Sequence, residues 1–179
     1  MKNNKGFMLA EVIITATVII TALVSLYATY NRTASKFQTR STYQNIDGNY
    51  AIKGMVNHLL KNNQLNTLFQ NVQTSTSNIS LIKNGNCQQI YNDTYCQKSK
   101  DLYSIQNLLV TNYSSEKVRA IKASVTNKTF KNYIDYIAGT SDDKPGYYDF
   151  GKKSTYTYLF IVEYKDTNGK LNYSSIGVK

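Results

Sequence analysis

The sequence predicts an α+β fold: a long N-terminal helix packed at its C-terminal half against a small antiparallel β-sheet head. Three observations carry that expectation. Residues 7–30 form an almost uninterrupted apolar run. The pattern then turns amphipathic, and the only proline, Pro145, stands far downstream, so nothing forces a break in the first helix. From Ile79 onward, short β-branched and aromatic runs alternate with turn residues. Helix first and strands later is the order of an α+β domain rather than an alternating one.

The composition narrows the class. The chain has 179 residues, a formal net charge of +10 and a mean hydropathy of −0.42. Hydrophobic residues make up 41% and charged residues 18%, which argues against wholesale disorder. A single proline excludes collagen-like and proline-rich classes. One histidine and two cysteines leave little material for a transition-metal site. The mildly polar average conceals two unlike segments.

The first segment reads FMLAEVIITATVIITALVSLYATY and carries one charge, Glu11. A bilayer takes roughly 20 apolar residues, so the run is long enough to span one. MKNNKG before it is polar and basic. A secretory signal peptide has an apolar stretch of only about 7–15 residues followed by a small-residue cleavage site, and fits poorly. A plain signal anchor fits the length and leaves Glu11 unexplained, unless its side chain snorkels to a headgroup. A carboxylate at mid-membrane costs on the order of 2.5–3.5 kcal/mol on insertion scales, which makes Glu11 a functional candidate. Lysines precede the segment, and Arg32, Lys36 and Arg40 follow it, so charge asymmetry alone does not orient it.

The string Lys5-Gly6-Phe7-Met8-Leu9-Ala10-Glu11 resembles the processing site of type IV prepilins and pseudopilins. In that family a short basic leader ends in Gly, and a prepilin peptidase cuts on the cytoplasmic side. The new N-terminal Phe is N-methylated, and the fifth mature residue is Glu. The resemblance implies cleavage between Gly6 and Phe7, methylation of Phe7 and filament assembly through Glu11. It implies that the Glu11 carboxylate meets the Phe7 amine of a neighbouring subunit, removing two buried-charge penalties of several kcal/mol. Its likeness is strong over about thirty residues, loose over the next thirty and slight beyond.

The remaining elements follow in order. Phe37, Tyr43, Ile46, Tyr50, Val56, Leu59 and Leu60 approximate one helical face, predicting a helix from about Gly6 to about Asn62. Gly48 and Gly54 weaken it, with a kink expected near Gly48, and Asn62-Asn63 is the expected stop. A helical turn and loop are expected over 64–80. ISLIK and CQQIYN read as strands joined by Asn84-Gly85-Asn86. QNLLVTNYS reads as a strand and KVRAIKASVTN as a better one, while FKNYIDYIAG is open between strand and helix. Asp142-Asp143-Lys144-Pro145-Gly146 reads as a turn. The clearest hairpin is STYTYLFIVEYK, Asp166-Thr167-Asn168-Gly169, KLNYSSIGVK.

Cys87 and Cys96 are candidates for a disulfide if the head lies outside the membrane; two unpaired thiols are the alternative. Pairing would stabilise by roughly 2–3 kcal/mol in the chain-entropy model. Many pilins close such a loop near the C-terminus, and here about 80 residues follow it. His58, beside apolar helix positions, reads as an exposed or half-buried surface residue. No matched nucleophile and base, no phosphate loop and no metal-ligand spacing stands out, so no catalytic residue, metal or cofactor is expected. Lys117, Arg119, Lys122, Lys128 and Lys131 form the densest basic stretch, with Tyr113 and Tyr133 nearby. On a strand and its following loop, some of these would share a face and could hold DNA, the alternative being a solvated basic surface.

The sequence therefore divides into a leader, 1–6; a transmembrane and filament-core helix, 7–30; an amphipathic continuation, 31–62; and a β-rich extracytoplasmic head, 63–179. Loss of the leader's two lysines leaves 19 basic against 11 acidic side chains, or +8. The resemblance implies a non-enzymatic bacterial structural subunit, a minor pilin or pseudopilin of a type IV pilus-like or type II secretion-like filament. It would be single-pass, N-terminus cytoplasmic, and move to a cell-surface or periplasm-like filament on assembly. Its implied partners are the prepilin peptidase, other pilin or pseudopilin subunits, the assembly platform and the membrane. A signal-anchored extracytoplasmic binding domain and a DNA-binding competence pilin are the alternatives.

Overall fold

The proline-free N-terminal sequence folds as α1 (Lys5–Tyr43), 39 residues and about 58 Å long at about 1.5 Å per residue. Its polar side chains stay helix-compatible by bonding back to the preceding turn. The hydroxyls of Thr15, Thr17, Thr21, Ser25, Thr29 and Thr33 each donate to the carbonyl four residues earlier, at 2.8–2.9 Å. The computed structural model describes residues 5–43, 46–75, 78–140, 146–150 and 156–179. The chain divides into two units, Met1–Ser41 and Thr42–Lys179. The helix expected over Gly6 to Asn62 is described as α1 and α2 (Ile46–Lys61). Residues 44–45 lie outside the described residues.

The second unit is α+β, built on a five-stranded antiparallel sheet of order β2-β1-β3-β4-β5. Its strands are β1 (Ile79–Lys83), β2 (Asn86–Cys87), β3 (Ile105–Asn112), β4 (Tyr158–Lys165) and β5 (Leu171–Val178). Between them lie α3 (Leu65–Thr74), α4 (Thr94–Leu102), α5 (Ser115–Ser124) and α6 (Lys128–Ala138). Leu108 pairs with Val162 and Phe160 with Ile176; Leu109 pairs with Ile161 and Glu163 with Tyr173. Side chains alternate across a strand, so these registers give each face its own set. Leu108, Val110, Phe160 and Val162 join one core with Ile52, Met55 and Leu59 of α2, Leu68 of α3 and Cys96 of α4. Leu109, Leu159, Ile161 and Tyr173 join a second core with Val118 and Ile121 of α5 and Tyr133, Ile134 and Ile137 of α6. The unit thus has three layers, with helices on both faces of the sheet.

Turn chemistry closes the two hairpins. Asn84 (φ 51°) and Gly85 (φ 72°) both take the left-handed conformation, as a two-residue primed turn demands. The β4–β5 loop is held by Asp166, whose Oδ1 accepts from the backbone N–H groups of Asn168 and Lys170, both at 2.9 Å. Those bonds outweigh the slight desolvation that opposes them and hold its carboxyl below the usual range. Asn63 (φ 56°) ends α2 at the expected stop.

Two local expectations change, and one left open resolves. KVRAIKASVTN is not a strand: Ser115–Ser124 is α5. Val118 and Ile121, three apart, both enter the second core, which only a helix permits. Burying two such side chains contributes about 3–6 kcal/mol, well above the few tenths per residue by which β-branching disfavours helix. FKNYIDYIAG resolves as α6, with Phe130, Tyr133, Ile134, Ile137 and Ala138 buried at helical spacing. CQQIYN gives only the short β2 and then a 3-10 turn, Gln89–Tyr91. In the turn expected over Asp142 to Gly146, residues 142–145 lie outside the described residues.

Gly48 sits inside α2 and serves close approach. A Cβ there would lie 2.6 Å from Ser174 Cβ and 2.8 Å from Tyr164 Cε1. Gly48→Ala should therefore destabilise the head by about 1–3 kcal/mol, the usual overpacking cost, against the gain of about 1 kcal/mol that alanine brings to an open helix. Urea unfolding measures it; an unchanged or raised midpoint would contradict this packing role.

Candidate functional site

α1 presents the first candidate. A single helix, Leu9–Phe37, is long and apolar enough to cross a membrane among the described residues, and none of its window is buried. Leu9, Ile14, Val18, Leu23, Leu26 and Phe37 are all more than half exposed. Gly6 and Phe7 lie in the first turns of this helix. Glu11 is exposed one turn after Phe7, and among the described residues no side chain pairs with its carboxylate. The i, i+4 row of Thr17, Thr21, Ser25 and Thr29 leaves short side chains along one line of the helix.

Cys87 and Cys96 form a disulfide that ties β2 to α4. The loop between them carries Asp93, the N-cap of α4, whose Oδ1 accepts from Cys96 N at 2.7 Å. Asp93 Oδ2 also lies 2.6 Å from His58 Nε2, and the His58 ring stacks on Tyr95 at 4.1 Å. His58 is half-buried, within the expectation, and it also has a structural task. It clips α2 to the disulfide loop, and its partner lies 35 positions away, beyond the reach of a spacing argument. Partial burial opposes ionisation of Asp93, while the bonds from Cys96 and His58 outweigh it and hold the carboxyl below its usual value.

The five basic candidates lie on a helix pair, not on one strand face. Lys117, Arg119 and Lys122 stand on α5, Lys128 and Lys131 on α6. Arg119 and Lys122 have structural partners. Arg119 donates to the carbonyls of Ala138 and Gly139 at 3.2 Å, capping α6. Lys122 Nζ lies 2.7 Å from Asp135 and joins α5 to α6. Tyr133 is buried in the second core, donating to Ser175 Oγ at 2.7 Å, and is no stacking platform. Burial pushes its hydroxyl, and that of Tyr148, well up. Tyr113 packs against Phe150 at 4.7 Å between ring centroids.

One buried acid went unremarked in the sequence. Glu163, in β4, is only 4% exposed. Its Oε2 accepts from the Asn107 amide and its Oε1 from the Tyr173 hydroxyl at 3.1 Å. Both donors come from adjacent strands in register. The signal was a lone acid among the apolar residues of YLFIVEYK, the same kind that singles out Glu11. Among the described residues, no group of three His, Cys, Asp or Glu side chains is placed to hold a metal ion.

Asp93 generates a pH prediction. A depressed folded pKa adds stability above the ordinary carboxylate value, 3.8 here, and loses it as pH falls through the folded value. Asp93→Asn should therefore unfold earlier in urea than the parent at about pH 6, with the difference shrinking as pH falls below the ordinary carboxylate value. A gap that stays constant as pH falls would show that the carboxylate charge is irrelevant.

Comparison with protein-family models, curated proteins and solved structures finds no match for this chain.

Proposed function

We propose that the chain is a minor pilin-like or pseudopilin-like subunit of a type IV pilus-like or type II secretion-like filament, cleaved after Gly6, methylated at Phe7 and assembled through α1. The carrying observation is the exposed apolar surface of Leu9–Phe37 with one carboxylate, Glu11, near its start. In the membrane, lipid covers that surface. In a filament, neighbouring copies of the same helix cover it, and the short row from Thr17 to Thr29 lets helix backbones approach closely. A signal-anchored binding domain would use the same apolar run but gives Glu11 no task.

The Cys87–Cys96 disulfide supports an extracytoplasmic head, because such bonds persist in oxidising compartments. With the N-terminus cytoplasmic, the peptidase reaches the Gly6–Phe7 bond, and the platform and sister subunits reach α1. DNA binding is the weaker function, since Arg119 and Lys122 already hold the α5–α6 pair together.

Glu11→Ala tests the assembly role. The variant should insert and be cleaved like the parent yet fall by about tenfold or more in sheared filaments, because the neighbour's amine is left buried and unpaired at a cost of several kcal/mol. Incorporation at the parental level would refute the role of Glu11.

A further inference from the structure

A polar cleft of about 580 Å³ opens on the face of the sheet that carries α5 and α6. Small-molecule sites fall in a range of about 300–1,000 Å³. Glu163 lines this cleft, and its two protein donors fill two of the about four lone-pair sites of an ionised carboxylate. Asn107 and Tyr173 hold the acid in place. Asn107 is locked at both ends, with its amide nitrogen on Glu163 and its oxygen accepting from Asn84 N at 3.0 Å.

The other lining groups supply complementary polarity. Asn127 spends its side-chain oxygen on Thr129 N at 2.8 Å, capping α6, which leaves its amide nitrogen as a donor. Gln106 directs its amide nitrogen to Ser104 O at 3.2 Å, leaving its oxygen as an acceptor. Exposed Lys83 and Lys165 add ammonium donors, and neither meets a carboxylate among the described residues. Leu171, with the edges of the buried Leu109 and Phe130, contributes a short apolar strip.

The charges select the ligand class. Two lysines disfavour a cation, and the carboxylate disfavours an anion. Fixed donors and acceptors beside an apolar strip suit a molecule with neighbouring hydroxyls and a C–H face. We propose that the cleft binds a short neutral saccharide, with Glu163 accepting hydrogen bonds from its hydroxyls and Asn127 donating to them. The assignment concerns the head alone and stands apart from the filament reading.

Saturation-transfer NMR on the full chain in detergent micelles tests it, with chitotetraose, cellotetraose and maltotetraose as neutral probes. Tetragalacturonate serves as the anionic probe and spermidine as the cationic one. At least one neutral probe should receive saturation. Its affinity should fall by about tenfold or more in Glu163→Gln, which keeps the shape and removes the charge. Asn127→Asp keeps the helix cap while removing the amide donor, and should weaken the same probe. Amide spectra matching the parent verify that both variants are folded. The proposal is overturned if no neutral probe is saturated, if binding survives both substitutions unchanged, or if tetragalacturonate or spermidine binds in preference.

Discussion

An apolar helix with no buried residue in its spanning window sets the terms for this molecule. Each large side chain from Leu9 to Phe37 would gain on the order of 1.5–3 kcal/mol by leaving water. No residue of that window is buried, and its length and composition suit a bilayer span. The back-bonded hydroxyls of Thr15 through Thr33 make such a span feasible, because they bring no unsatisfied donor into an apolar setting. Within residues 7–30, Glu11 is the one charged side chain, and an apolar setting penalises it.

The head solves a different problem, a sheet apolar on both faces. Alternation along β3, β4 and β5 sends Phe160 to one side and Ile161 to the other, so each face needs its own helical cover. The α2, α3 and α4 layer is locked by the Cys87–Cys96 disulfide and the His58–Asp93 contact. Lys122–Asp135 and the Arg119 bonds lock the α5–α6 layer. Basic residues that suggested a ligand surface thus serve partly as internal ties. The cleft beside Glu163 lies on the same face as that second layer.

What the sequence discloses depends on how local the deciding interaction is. Asn84-Gly85 and the Asp166 to Gly169 loop announce their hairpins because turn geometry is decided within four residues. Val118 and Ile121 mislead because β-branched residues favour strands until a sheet face is available to bury them. The His58–Asp93 pair joins residues 35 apart, and Asn107 meets Glu163 across 56 positions, so neither contact follows from spacing. Glu163 itself was legible: a lone acid in an apolar strand carries the same warning as a lone acid in an apolar helix. Glu11 stood out because a membrane span has no room for charge. Glu163 did not, because a soluble sheet can hide a carboxylate behind an amide and a phenol.

The filament reading rests on the chemistry of one peptide bond. Intact mass and N-terminal fragmentation of the chain recovered from cell membranes test it most directly. The account predicts a mature chain that begins at Phe7, with one methyl group on its amine. A chain that still begins at Met1, or one cut on the far side of Tyr30, would contradict it.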